Sequence, residues 1–312
     1  MPVVLDPDAA PVYKAFLEAN RPPYENGTPA QAREMYLAAR FVSNPEPPEL
    51  ASARDLSIPA PHGAIPARIY TPKQLRKKDG LAPCLVFFHG GGWVIGNLDS
   101  HDVVCRKLAH EGELIVISVD YRLAPEHQFP AAVEDALTAT QWVADNARQF
   151  GIDAGRLIVG GDSAGGNLAA VTALAARDAG PKLAGQLLIY PATDFAMDTP
   201  SHREPETSIL LTHSVVRWFC NHYLGGADIN DWRASPARAK LAGLPPAYVL
   251  VAGADPLRDE GNEYAERLKA AGVPVTHRFF PGQFHGFFTM GKLLNQANVA
   301  ASEISAWLKA LN

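Results

Sequence analysis

The stretch RLIVGGDSAGGNLA, Arg156 to Ala169, runs from an apolar, strand-like segment through a cluster of glycines into a helix-like one. A single hydroxyl, Ser163, stands at the corner. Gly161-Asp162-Ser163-Ala164-Gly165 fits G-x-S-x-G. Strand, sharp turn and helix in that order are the context in which this pattern presents a nucleophile. The turn brings backbone segments close together, so a Cβ at Gly161 or Gly165 is expected to clash. Ser163 is thereby pushed out above the sheet, beside a helix N-terminus whose free amides favour negative charge. A phosphate loop would need Lys after its last glycine, but Gly166 and Asn167 follow Gly165 here. A plain structural turn is the competing reading.

Working outward, the same strand–helix rhythm recurs. CLVFFH (84–89), LIVISVDY (114–121), RLIVGG (156–161), QLLIYP (186–191), AYVLVAG (247–253) and VTHRFF (275–280) read as strands. Helices are expected from about Ser100 to Glu111, after Pro130, from Ala164, and at the C-terminus around Ile304, Trp307, Leu308 and Leu311. Continuous apolar strands alternating with helices predict an α/β fold with a mostly parallel central sheet flanked by helices. ARDLSIPA (53–60) and AIPARIYTP (64–72) predict an antiparallel edge pair turned at PHG.

Two regions break the rhythm. Residues 1–45 predict two amphipathic helices. The first is capped by Asp8 and carries a stripe of Val12, Tyr13, Phe16 and Leu17; the second opens on Thr28, Pro29 and Gln31, with Met35, Tyr36 and Ala39 on one face. They lack the Lys/Arg-rich polar face of membrane-surface helices, so packing on the protein body is expected. Residues 195–240 are rich in His, Trp and Pro. Both are expected to fold over the sheet as a helical cap, leaving 46–194 and 241–312 as the two parts of the core.

The 312 residues carry a formal charge of −5, with 20% charged residues, which gives no footing for nucleic-acid binding. Cys84, Cys105 and Cys220 show neither a disulfide framework nor metal-ligand spacing. No apolar run reaches membrane-span length, and MPVVLDPDAAP lacks the pattern of a secretion signal, so a cytoplasmic protein is expected.

A serine hydroxyl needs a base, an orienter for that base and donors for a developing oxyanion. HGGGW, His89 to Trp93, follows the strand CLVFF; the amides of Gly91 and Gly92, with that of Ala164 after the nucleophile, are the expected donors. Of ten histidines, His285 in PGQFHGFF lies after the last strand between Gly282 and Gly286, whereas His62, His202, His213, His222 and His277 have bland explanations and His89 is read as a brace of the glycine loop. In AYVLVAGADPLRDE, Asp255 is the first carboxylate past the strand, while Asp259 and Glu260 read as surface charge on the following helix. The order Ser, Asp, His is that of α/β-hydrolases.

With HGGGW, YRLAPEHQFPAA, GGDSAGGNLA, DPLRDEG and HGF in this order over nearly the whole chain, the sequence resembles the bacterial carboxylesterases of the hormone-sensitive lipase family, in the branch whose elbow reads GDSAG. The resemblance implies a triad of Ser163, Asp255 and His285, an oxyanion hole from Gly91, Gly92 and Ala164, a helical cap, and hydrolysis of short- to medium-chain esters without metal or organic cofactor. It implies a bracing rather than catalytic role for Glu126 and His127. Trp93, Trp218 and Phe219 are expected to shape an apolar substrate pocket, and VTHRFF to form a sheet edge through which two copies pair. A non-catalytic receptor on this fold, of the kind seen in the plant gibberellin receptors, is the rival; it lacks the histidine that FHGF keeps here. An amidase or acyltransferase would share every motif.

Overall fold

The computed structural model describes residues 3–311. An eight-stranded sheet is built from β1 (Ser52–Ala60), β2 (Gly63–Thr71), β3 (Ala82–Phe88), β4 (Ile115–Val119), β5 (Ile152–Asp162), β6 (Leu183–Ile189), β7 (Ala247–Ala254) and β8 (Val275–Phe284). Their order is β1-β2-β4-β3-β5-β6-β7-β8. The β1–β2 pair is antiparallel at one edge, joined by a turn at which Ala60 faces Gly63. From β4 to β8 all neighbours are parallel. The edge hairpin and the parallel centre both match the sequence expectation.

Helices cover both faces, which is why every residue of β3, β4 and β7 is buried. Alternation along one strand sorts the side chains. Cys84, Val86 and Phe88 of β3 join a cluster with Leu168 and Val171 of α5 (Ala164–Ala179) and Val143 of α4 (Ala131–Asp145). Leu85 and Phe87 point the other way, to Leu108 of α3 (Asp102–Gly112) and Ile304 and Leu308 of α8 (Asn295–Ala310). Helix α3 begins two residues later than the sequence suggests. The remaining core helix is α7 (Arg258–Ala270).

Strand order reverses around β3: the chain moves from β3 to β4 on one side, then returns to β5 on the other. The loops leaving β3 and β5 therefore diverge, opening a crevice beyond their carboxyl ends. Over this end lie α1 (Ala9–Glu18), α2 (Pro29–Ser43) and α6 (His213–Leu224). The start of α2 is as expected: the Thr28 hydroxyl accepts from Gln31 N while Gln31 Oε1 accepts from Thr28 N. Helix α1 departs from expectation. Asp8 makes no capping bond to it; its carboxylate instead accepts from Asn295 N at 2.7 Å and from Gln283 Nε2 at 3.2 Å. Of the α1 stripe, Phe16 and Leu17 are exposed, as are Phe41 and Val42 of α2. Both sheet faces are already occupied, so these helices lie across the open carboxyl end, where α1 buries only Ala9 and α2 buries Ala32, Arg40 and Ser43.

Candidate active site

Ser163 sits between β5 and α5 with φ 57° and ψ −117°, a backbone region that a residue bearing a side chain occupies only under constraint. The constraint is visible. Ser163 N donates to Ile189 O at 2.8 Å, and Gly161 and Gly165 press against β3: a Cβ on Gly165 would stand 1.9 Å from the Phe88 carbonyl oxygen, and one on Gly161 2.3 Å from it. The clash expected at both glycines is present.

His285 follows β8 and Asp255 follows β7, so both side chains enter from the carboxyl ends of neighbouring strands. His285 Nε2 lies 2.9 Å from Ser163 Oγ, and His285 Nδ1 lies 2.7 Å from Asp255 Oδ2. Asp255 is fully buried, and its other oxygen accepts from Leu257 N at 2.8 Å. Three residues separated by up to 122 positions thus form one hydrogen-bonded chain. The ring of Tyr190 packs on the imidazole at 4.7 Å between centroids.

The HGGGW loop reaches the same point from β3. Gly91 (φ 125°) and Gly92 (φ 57°) adopt conformations that favour glycine, and both line the cavity above Ser163. The amides of Gly91, Gly92 and Ala164 donate to no acceptor among the described residues. His89 braces the loop as expected: its ring stacks on Tyr121 at 4.3 Å, the Tyr121 hydroxyl donates to His89 O at 2.7 Å, and Nδ1 lies 2.8 Å from Gly90 O. Burial, with His101 adding, pushes its pKa down to about 3, so the ring is neutral at physiological pH.

A second brace was not foreseen. Asp162, the variable position of the elbow, is buried; its Oδ1 accepts from Gly90 N at 2.9 Å and lies 3.2 Å from His101 Nε2. Burial alone would raise its pKa, but His101 and the Gly90 amide hold it below the ordinary carboxylate value. Elbow and glycine loop are therefore locked together by one carboxylate. A charged residue inside a glycine and apolar run was the available signal.

A cavity of about 690 Å³ opens over Ser163 and His285, walled by α1, α2, α6 and the loops between them. Phe219 covers Gly92, and Trp93 stacks on Tyr223 at 4.5 Å. Phe219 and Trp93 line the cavity; Trp218 does not. It turns aside to pack on Phe219 and His222, because a helix cannot point residues 218 and 219 at the same surface. Glu260 also departs from expectation. Far from being surface charge, it is buried, lies 2.7 Å from His202 Nε2, and accepts from Thr193 N at 2.6 Å. Burial raises its pKa while His202 opposes the rise. His202, given a bland role from sequence, thus ties the irregular segment to α7. Asp259 is half-buried and accepts from Ser201 N at 2.8 Å, beside Arg258. Glu126 holds Arg33 of α2 at 2.6 Å. No cluster of three or more His, Cys, Asp or Glu side chains suited to a metal ion occurs among the described residues.

Comparison with known proteins bears on the fold and the family. Residues 85–289 match a family described as having the alpha/beta hydrolase fold. Carboxylesterase NlhH of Mycobacterium tuberculosis is 41% identical over 99% of this chain and 98% of its own length. An ethyl acetate hydrolase of Pseudomonas putida is 39% identical over 94% and 95%. Among solved structures, a hyperthermophilic esterase from Pyrobaculum calidifontis superposes with a TM-score of 0.89 at 39% identity, covering 99% of both chains. The chain belongs to the α/β-hydrolase family, in its group of bacterial carboxylesterases related to hormone-sensitive lipase.

Proposed function

We propose that this protein hydrolyses short- to medium-chain carboxylic esters through an acyl-enzyme on Ser163. The observation that carries the reading is the continuous hydrogen-bonded chain from Asp255 through His285 to Ser163 Oγ at the floor of an apolar cavity. In the proposed cycle His285 Nε2 takes the hydroxyl proton as Ser163 Oγ bonds to the ester carbonyl carbon. Asp255 holds the ring with Nδ1 protonated and stabilises the imidazolium. The carbonyl oxygen, now negative, accepts from the amides of Gly91, Gly92 and Ala164. Collapse breaks the bond to the alcohol, which leaves with the proton from His285. Water then repeats the sequence on the acyl-enzyme and releases the acid.

Residues 1–45 and 195–240 act in this reading as the cap that shapes the substrate cavity, with Trp93 and Phe219 in its wall. Small-molecule esters are its partners, and no helix of the described residues is long and apolar enough to cross a membrane. Three free, buried cysteines fit a reducing, cytoplasmic setting. The exposed edge of β8, with Phe279 outward, is the surface through which we expect two copies to pair.

A fluorophosphonate tests the assignment. Its phosphonyl mass should appear on the peptide containing Ser163, and labelling confined to any other residue would defeat the mechanism. Initial rates on 4-nitrophenyl esters from acetate to laurate would then locate the preferred acyl length.

A further inference from the structure

Two arginines line the cavity wall without a carboxylate partner among the described residues; Arg21 is exposed and Arg40 is buried. Arg40 lies in the last turn of α2, is 6% exposed, and lines the cavity that holds Ser163 and His285. The carboxylates of that wall are matched: Asp162 by His101 and the Gly90 amide, Asp194 by Arg238 at 3.0 Å, Glu260 by His202. Arg40 has no carboxylate within ion-pair distance among the described residues. Its guanidinium lies over the Tyr36 ring at 4.6 Å and one Nη donates to Thr289 Oγ1, while Nε is buried without a partner. A ring face and a hydroxyl compensate a buried cation only in part. The α2 carbonyls at this end of the helix add some negative potential. The position is also close to the chemistry, because Thr289 Oγ1 donates in turn to Gly286 O, the residue after His285, at 2.9 Å.

From these observations we propose that Arg40 is a specificity-determining residue that receives a carboxylate carried by the substrate. On the esterase reading given above, on which this inference rests, the favoured substrates are half-esters of dicarboxylic acids. The ester carbonyl lies on Ser163 and the ionised end reaches the guanidinium. Arg40 suits this role better than lysine, since its planar fork keeps paired donors aimed at one anion. The products are a dicarboxylate and an alcohol, with water the only co-reactant.

The experiment compares kcat/KM, by pH-stat, for monoethyl succinate, glutarate and adipate with that for neutral ethyl esters of matched length, in the wild type, Arg40→Met and Arg40→Lys. One half-ester should exceed its neutral counterpart in the wild type. In Arg40→Met the ratio of half-ester to neutral rate should fall about tenfold to a hundredfold, the value of a charge-assisted hydrogen bond, with partial recovery in Arg40→Lys. The free dicarboxylate should compete with a neutral ester in the wild type, a measurement that needs no variant to fold. An Arg40→Met enzyme that loses all esters equally would make the residue a brace of the His285 loop and overturn the proposal. So would a wild type that neither favours half-esters nor is inhibited by the diacids. If neutral esters are still cleaved in a Ser163-dependent manner, only the anion proposal has failed; if no ester is turned over, both readings fall.

Discussion

The contact between Phe219 and Gly92 joins the segment over the sheet to the expected oxyanion loop, and a double-mutant cycle measures it. Gly92 has φ 57°, and a Cβ there would stand 2.2 Å from Phe219 Cγ. In Gly92→Ala the left-handed backbone costs about 1–2 kcal/mol. Displacing a packed ring adds about 1–3 kcal/mol. Phe219→Ala, removing a buried ring, costs about 3–5 kcal/mol by itself. In that background, however, Gly92→Ala should retain only its backbone cost, so the double variant is more stable than additivity predicts by about 1–3 kcal/mol. Turnover should follow. If the Gly92 amide is turned from the oxyanion position, kcat/KM on 4-nitrophenyl butyrate drops on the order of 10²–10³, and removing the ring restores part of it. Urea unfolding and initial rates on the four proteins give both quantities. Equal costs for Gly92→Ala with and without Phe219 would refute the argument, because the glycine would then be required for its dihedral angles alone.

Other expectations are simpler. Ser163→Ala should lower kcat on aryl esters by roughly 10⁴–10⁶ while leaving the urea midpoint near that of the wild type. Glu260→Ala should destabilise by about 3–5 kcal/mol, since it strands the buried His202 ring and the Thr193 amide; Glu260→Gln, which keeps an acceptor, should cost less in the same unfolding assay. Asp120 offers a pH test. Burial, with Asp99 adding, pushes its carboxyl from 3.8 up to about 6. The folded state therefore binds this proton more tightly than the unfolded chain. The resulting destabilisation is complete above pH 6 and fades as pH falls toward 3.8. Asp120→Asn should stabilise at pH 8 by about 1–2 kcal/mol, less than the full shift implies because the side chain is 32% exposed. The gain should vanish at pH 4 when urea midpoints are compared.

What could be read from the chain alone was local chemistry and its order. The elbow at Ser163 was legible because a strained turn packed against a neighbouring strand needs Gly161 and Gly165 whatever surrounds it. HGGGW, Asp255 and His285 were legible because each follows a strand, and parallel strands deliver the residues after them to one end of the sheet. Tertiary structure alone decided where long-range burial falls. Helical periodicity gives α1 a stripe but does not say what covers it, so Phe16 and Leu17 read as packed and are exposed. Glu260 read as surface charge, yet α7 turns it toward His202, a partner 58 residues earlier in the chain. Trp218 and Phe219 were equivalent in composition until α6 docked and only one faced the cavity. Asp162 and Arg40 carry the same lesson: whether a charge is braced, matched or left facing a cavity depends on which distant groups the fold brings within a few ångströms, and spacing along the sequence does not encode that distance.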